Sequence, residues 1–401
     1  MLRPDRPLPM PEFIALLALL FATIAFSIDA MLPALPQIAA ELTPTDVNRA
    51  QLVLTSFVLG MGLGTFLAGP ISDALGRKPT ISGGFALYTA AAITAAYAQS
   101  LEALLIARFI QGLGAAGPRI VGLAMVRDLY AGREMARVTS FVMMIFILVP
   151  AVAPSIGQVI IAVAGWRSVF FAFVTFAVVG LIWLNLRQPE TLPPARRRPL
   201  SPAPLRAAAA EVLADRDVRL YIVVLTLGFG QMFALLSSAQ QIFDTSYGRG
   251  AAFPQWFALM ALLAGSGTLI NARFVMRLGM RRLAKDAYLM QICASTLALV
   301  LLGSGLLPEP LRFAVFFLWA VSVFFMAGVT FGNLNALAMQ KMGHIAGMAA
   351  SVVSAFSTVA AVAIAAPIGL MFNGTPIPIL IGTLLCSTLA WVLMRRSVEA
   401  I

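Results

Sequence analysis

The sequence predicts an all-α membrane protein: twelve transmembrane helices in two six-helix bundles, with both termini in the cytoplasm. Three observations carry this. The 401 residues are 60% apolar and 11% charged, with a mean hydropathy of +0.91, whereas a water-soluble domain is nearer half apolar and a quarter charged. The apolar residues gather into runs of about twenty, the helix length that crosses a hydrocarbon core. One long polar stretch then divides those runs six and six. Composition alone excludes secreted domains, nucleic-acid modules and soluble enzymes.

The first run, 13–34, follows Arg3 and Arg6 and so mimics a secretory signal. It is long for one, closes on Asp29 and the pair Pro33/Pro36, and has no small-x-small cleavage site. It therefore reads as the first span. Five more follow at 50–70, 80–98, 102–125, 138–163 and 167–186. Residues 187–218 form a hydrophilic linker with six prolines and the consecutive arginines Arg196, Arg197 and Arg198. That triplet reads as an anchor on acidic lipid rather than an RNA contact. The second half repeats the pattern at 219–241, 253–275, 286–305, 312–338, 345–371 and 377–394. The organisation is thus a bundle at 1–186, a cytoplasmic linker at 187–218 and a bundle at 219–401.

Counting cations sets the orientation. With both ends inside, the inner segments hold Arg3, Arg6, Arg77, Lys78, Arg127, Arg133, Arg137, the linker arginines, Arg273, Arg277, Arg281, Arg282, Lys285, Lys341, Arg395 and Arg396. The outer loops hold Arg49, Arg167, Arg249 and Arg312. Positively charged loops stay cytoplasmic. The formal charge of +11 therefore reflects loop distribution and implies no nucleic-acid partner.

Catalytic chemistry has little to work with. Cys293 and Cys386 lie in apolar runs without ligand spacing, His344 is the sole histidine, and no phosphate-binding Gly-x-x-x-x-Gly-Lys loop occurs. A metal centre, a Ser-His triad and intrinsic ATP hydrolysis lack their residues. No cofactor is expected, and the chain is expected not to be an enzyme. A faint repeat points elsewhere: Ala153-Pro154 recurs as Ala366-Pro367, offset by 213, and Gly76-Arg77-Lys78 has a counterpart at Gly279-Met280-Arg281, offset by 203. Paired six-helix halves are a transporter design, with the substrate site near the midplane between them.

Three motifs give this a family. Gly69-Pro-Ile-Ser-Asp73-Ala-Leu-Gly76-Arg77-Lys78 resembles the signature loop of the major facilitator superfamily. In it Asp73 can oppose a helix N-terminus and pair with a nearby arginine, Gly76 permits a tight turn, and Arg77 and Lys78 hold the loop inside. Arg108-Phe-Ile-Gln111-Gly112-Leu-Gly114 looks like the superfamily's fourth-span motif, and Ala153-Pro154-Ser-Ile-Gly157-Gln158 is similar to the fifth-span motif of antiporters, with Ala153 and Gln158 in place of glycines. Asp29-Ala-Met-Leu-Pro-Ala-Leu-Pro, Val126-Arg127-Asp128-Leu-Tyr130 and Gly332-Asn333-Leu-Asn335 are similar to the Bcr/CflA drug-resistance transporters. The resemblance covers essentially the whole chain. It implies a proton-driven exporter of drugs such as bicyclomycin or chloramphenicol.

Among candidate site residues, Asp29 is the one carboxylate well inside an apolar span, at ~24 Å along the helix from Phe13. A charge there is costly, so a functional role is the default. Burial disfavours a carboxylate's charge and a nearby cation favours it, so a group alternating between the two can load and release a proton. The competing reading is a residue that merely caps or snorkels near Pro33. Arg108 sits at similar depth on the fourth span, and a pair with Asp29 that loosens on protonation is the expected coupling device. Arg119 follows by 11 residues and shares its face, with Gly112, Ala115 and Gly122 on the same stripe; it either lines a polar cavity or snorkels inward. Gln111 stands one turn from Arg108. Gln231, Gln240, Gln241, Asn333 and Asn335 offer neutral groups in the second half, for orienting substrate or for bonding helix to helix. The expected partners are a small-molecule substrate, protons and membrane lipid, and the expected state is a monomer. An uptake symporter or a metabolite exporter on the same fold is the alternative.

Overall fold

A computed structural model describes residues 8–396, with the side chains of Ala136, Ile145, Phe146, Ile147 and Pro202 left aside. The expected inner cations Arg3 and Arg6 lie outside the described residues. Every element among the described residues is helical. Among the described residues, eleven helical segments are long and apolar enough to cross a membrane.

The first expected span is broken. Helix α1 (Met10–Asp29) stops before Pro33, a single 3-10 turn follows at Leu32–Ala34, and a short α2 runs Leu35–Leu42. Pro33 has no N–H to donate and disfavours helix in the residue before it, so the chain cannot continue straight. Helices α3 (Leu52–Leu75) and α4 (Arg77–Ala96) are separated by Gly76 alone, whose φ of +107° suits glycine. Helix α4 covers the third expected span but is not among the eleven apolar segments. Its own sequence explains this, since Thr80, Ser82, Gly83, Gly84 and Thr89 interrupt the apolar residues. Helices α5 (Leu101–Leu129), α6 (Gly132–Ala164) and α7 (Ser168–Arg187) complete the first half. Ser100 caps α5 by accepting from the Ala103 N–H at 3.2 Å.

The linker is not wholly irregular, because Pro202–Ala214 forms a helix, α8. Helix α9 (Arg216–Gln241) begins at Asp215, whose carboxylate accepts from the N–H groups of Asp217 (2.8 Å) and Val218 (3.1 Å). A π-turn at Ile242–Ser246 ends it. Then come α10 (Phe253–Leu278), α11 (Met280–Gly303), α12 (Glu309–Met339), α13 (Ala346–Leu370) and α14 (Ile377–Arg396). Gly279, φ +80°, is the whole turn between α10 and α11. Prolines lie inside α3, α5, α6 and α13 without ending them, as helices packed within a membrane allow.

The chain divides into two compact units: Met1–Thr45 with Ser56–Arg206, and Asp46–Thr55 with Ala207–Ile401. In the first, α3 and α5 meet backbone to backbone. A Cβ built on Gly60 or Gly112 would strike the carbonyl of Phe109 or Phe57 respectively, so only glycine allows that approach. The core there holds Phe13, Phe21, Phe57, Phe85, Phe170 and Phe173. In the second, Phe243 packs edge-on against Phe253 and Phe313. Outward faces carry large exposed apolar side chains, among them Val163 and Leu269, as a lipid-facing surface requires.

Candidate functional site

Asp29 is the last residue of α1 and is 5% exposed. Among the described residues its carboxylate has no hydrogen bond and no ion pair. The charged form would be doubly unfavourable here, buried and at the negative end of the α1 dipole. The next residue, Ala30, is where α6 closes on α1: a Cβ on Gly157 would run into the Ala30 carbonyl oxygen. Gly157 and Pro154, one turn apart and both buried, thus let α6 seat against the carbonyls that end α1. The antiporter-like motif therefore abuts the one buried acid of α1.

Arg108 is fully buried. Its guanidinium donates to Gln111 Oε1 at 2.7 Å and to the Ser27 carbonyl at 3.0 Å, and lies 4.3 Å from the centre of the Phe57 ring. The Ser27 hydroxyl contacts the Tyr88 hydroxyl and donates to the Thr23 carbonyl at 2.7 Å. The structure therefore ties α1, α4 and α5 around one cation. Arg108 and Asp29 do not form the expected ion pair; backbone, amide and ring satisfy the arginine instead. Arg119 is exposed on α5, unlike Arg108. Gly112 serves the α3 contact and Gly122 faces Phe21, so the stripe they share with Arg108 packs helices rather than lining a wall.

The signature loop is a closed set of charge contacts. Arg77 bonds Asp73 at 2.5 Å, Asp128 at the end of α5 at 2.9 Å and the Ser72 hydroxyl at 2.7 Å; the Gly69 carbonyl in turn accepts from Ser72 at 3.0 Å. Lys78 Nζ donates to the carbonyls of Asn185 and Gln188, both at 2.9 Å, at the end of α7. The N-terminus of α4 is capped by Glu190, not by Asp73: its carboxylate accepts from the N–H groups of Arg77 and Lys78, both at 3.0 Å. A cation on the carbonyl end of α7 and an anion on the N–H end of α4 lock the two helices reciprocally. Sequence reading missed Glu190; its signal is an acid just past the end of the sixth span, in a Pro/Arg-rich stretch whose other acids, Glu211, Asp215 and Asp217, lie at the far end of the linker.

In the second unit Gln231, fully buried, accepts from Ser387 of α14 at 2.9 Å. Asn333 donates to Asn271 of α10 at 2.6 Å and to its own helix at Val329, 2.9 Å; Asn335 donates to Phe331, 2.9 Å. These amides bond helix to helix or to their own helix. Gln241 belongs to a chain of amides that sequence reading did not foresee. Gln51 donates to Gln241 (2.6 Å) and accepts from Ser238 (2.7 Å), Gln241 donates to Asn48 (2.8 Å), and Asn48 donates to the Phe372 carbonyl (2.7 Å).

Comparison with known proteins agrees with this build. Residues 16–367 match the model of the Major Facilitator Superfamily. A Bacillus subtilis (strain 168) protein described as an uncharacterized MFS-type transporter, YdgK, is 30% identical over 84% of this chain and 83% of its own. A Haemophilus influenzae bicyclomycin resistance protein homolog is 27% identical over 85% of this chain and 84% of its own. The crystal structure of a D-xylose-proton symporter superposes with a TM-score of 0.77 at 15% identity, covering 97% of this chain and 98% of that one; at that identity it speaks for the fold alone. The chain is a multi-pass membrane transporter rather than an enzyme, and it belongs to the major facilitator superfamily.

Proposed function

We propose that the chain is a proton-driven exporter of drugs or other small amphipathic compounds, a drug:proton antiporter working by alternating access. In this reading it is a monomer in a bacterial cytoplasmic membrane, α4 is the twelfth span beside the eleven apolar ones, and both termini are cytoplasmic. The observation that carries it is Asp29, a buried carboxylate ending an apolar helix with no partner among the described residues. A neutral, protonated acid is tolerated there; ionisation demands a partner or water. Release of the proton therefore requires a change in surroundings, and that requirement couples proton to conformation. Gly157 against Ala30 places the α1–α6 contact one residue away, where such a change would be felt. Of the polar groups expected on the substrate path, Arg119 is the exposed one and the one we assign to it; Arg108, Gln111, Gln231, Asn333 and Asn335 are committed to contacts within and between helices. Drug export is favoured over sugar uptake by the bicyclomycin-resistance relative and by how few polar groups remain uncommitted to helix contacts.

The test is export from cells lacking their own efflux pumps. Expression should lower the steady-state accumulation of bicyclomycin or a related amphipathic compound, a protonophore should abolish the effect, and Asp29→Asn should match it. Accumulation unchanged by expression across a broad drug panel, with sugar entry raised instead, would overturn the reading.

A further inference from the structure

The α3–α4 and α10–α11 turns share one backbone design. In each, a helix ends, a single glycine takes positive φ, and the next helix starts at once. Their charges differ. In the first turn Arg77 and Lys78 are buried, and Asp73, Asp128, Glu190 and helix carbonyls answer them. In the second, the position matching Asp73 at the repeat offset of 203 is Met276, 91% exposed. Arg273, Arg277, Arg281, Arg282 and Lys285 crowd the turn, and Asp286 is the only acid between positions 269 and 289. Arg273 and Arg277 are exposed and have no hydrogen bond or ion pair among the described residues; the Arg282–Asp286 pair is exposed and long, 3.7 Å. Where Glu190 stands over Gly76, nothing lies within 4 Å of a Cβ built on Gly279.

Apolar side chains share this surface. Leu269, Arg273, Met276 and Arg277 recur at helical spacing on α10, and Leu269 is 73% exposed. An exposed leucine one turn deeper than a pair of arginines presents hydrocarbon and then positive charge, in the order in which a phospholipid presents acyl chain and phosphate. A soluble anion would gain nothing from Leu269 or Met276.

We propose that the α10–α11 turn binds the phosphate of an anionic phospholipid, with Arg273, Arg277 and Arg282 as donors and Leu269 and Met276 along the acyl chain. This rests on the orientation proposed above, which places the turn at the inner leaflet. The test is native mass spectrometry of the full chain, stripped of lipid in a neutral detergent and titrated separately with short-chain phosphatidylglycerol, short-chain phosphatidylcholine and glycerol phosphate. Phosphatidylglycerol should bind tightest. The triple variant R273Q/R277Q/R282Q should lose about fivefold in affinity per arginine removed. Met276→Asp, which restores the acid found in the first turn and removes no cation, should also weaken binding and covers the case of a poorly folded triple variant. Unchanged affinity in folded turn variants, equal binding of phosphatidylcholine, or tighter binding of glycerol phosphate would each overturn the proposal. Labelling of the Met276→Cys variant from outside intact cells would overturn the orientation separately, and a failure of drug export leaves the binding result standing.

Discussion

Glu190→Ala is the substitution whose cost the structure defines best. The carboxylate accepts from three N–H groups: Arg77 and Lys78 at 3.0 Å and Leu192 at 2.9 Å. The first two are donors that an α-helix cannot satisfy for itself. Losing such an acceptor costs about 1 kcal/mol. Losing the negative charge at the positive end of the α4 dipole adds ~0.5 kcal/mol for a half-buried group. The total, about 1.5 kcal/mol, is roughly a tenfold shift in the unfolding equilibrium. Glu190→Gln keeps one acceptor and should lose about half as much, a deficit that ~1 M salt narrows for the wild type by screening the charge. Unfolding in mixed micelles, followed by tryptophan fluorescence with Trp183 reporting from α7, gives the three curves. If Glu190→Ala lies within ~0.5 kcal/mol of wild type, or Gln is as damaging as Ala, the reciprocal lock between α4 and α7 is wrong.

Three further outcomes follow. Gly157→Val should force α6 away from the Ala30 carbonyl and abolish export while the protein still reaches the membrane; wild-type export would refute the close contact as functional. Ser387→Ala leaves the Gln231 amide buried and unanswered and should cost ~1–3 kcal/mol in the same unfolding assay, with Gln231→Leu recovering part of it in the double variant; additive losses would contradict this. Burial pushes the Asp215 carboxyl up, but the N–H groups of Val218 and Asp217 and the Lys341 charge outweigh that and hold it below its ordinary value. Its contribution is therefore present above the unfolded carboxylate range of about 4 and lost as pH falls through the folded value. Wild type and Asp215→Asn should differ at neutral pH and converge in acid; a constant gap would refute it.

Much of the architecture was legible because lipid imposes a simple length rule on apolar runs. What the rule cannot see is how the chain continues past a break, so the close of the run at Asp29 and Pro33/Pro36 was legible but the short α2 beyond it was not. Helix α8 was hidden because six prolines and a triplet of arginines mask the alanine run at 207–210. At the site, the motifs located Asp29, Arg108 and Gly157, but motif spacing gives depth and not partnership. Arg108 turned to Ser27, Gln111 and Phe57 rather than to Asp29, since a backbone carbonyl and a ring satisfy a buried guanidinium without a second buried charge. Glu190 and Gln51 act across 113 and 190 positions of sequence respectively, and one sequence gives no signal for such pairs.

The central claim is that Asp29 carries the proton that drives export. Purified wild type and Asp29→Asn, reconstituted side by side in liposomes with an imposed pH gradient, would be given labelled bicyclomycin, chloramphenicol, sugars and organic acids. The account predicts gradient-driven drug movement in the wild type and its loss in the variant, with drug binding retained. Drug movement that responds to the gradient equally in both would contradict it.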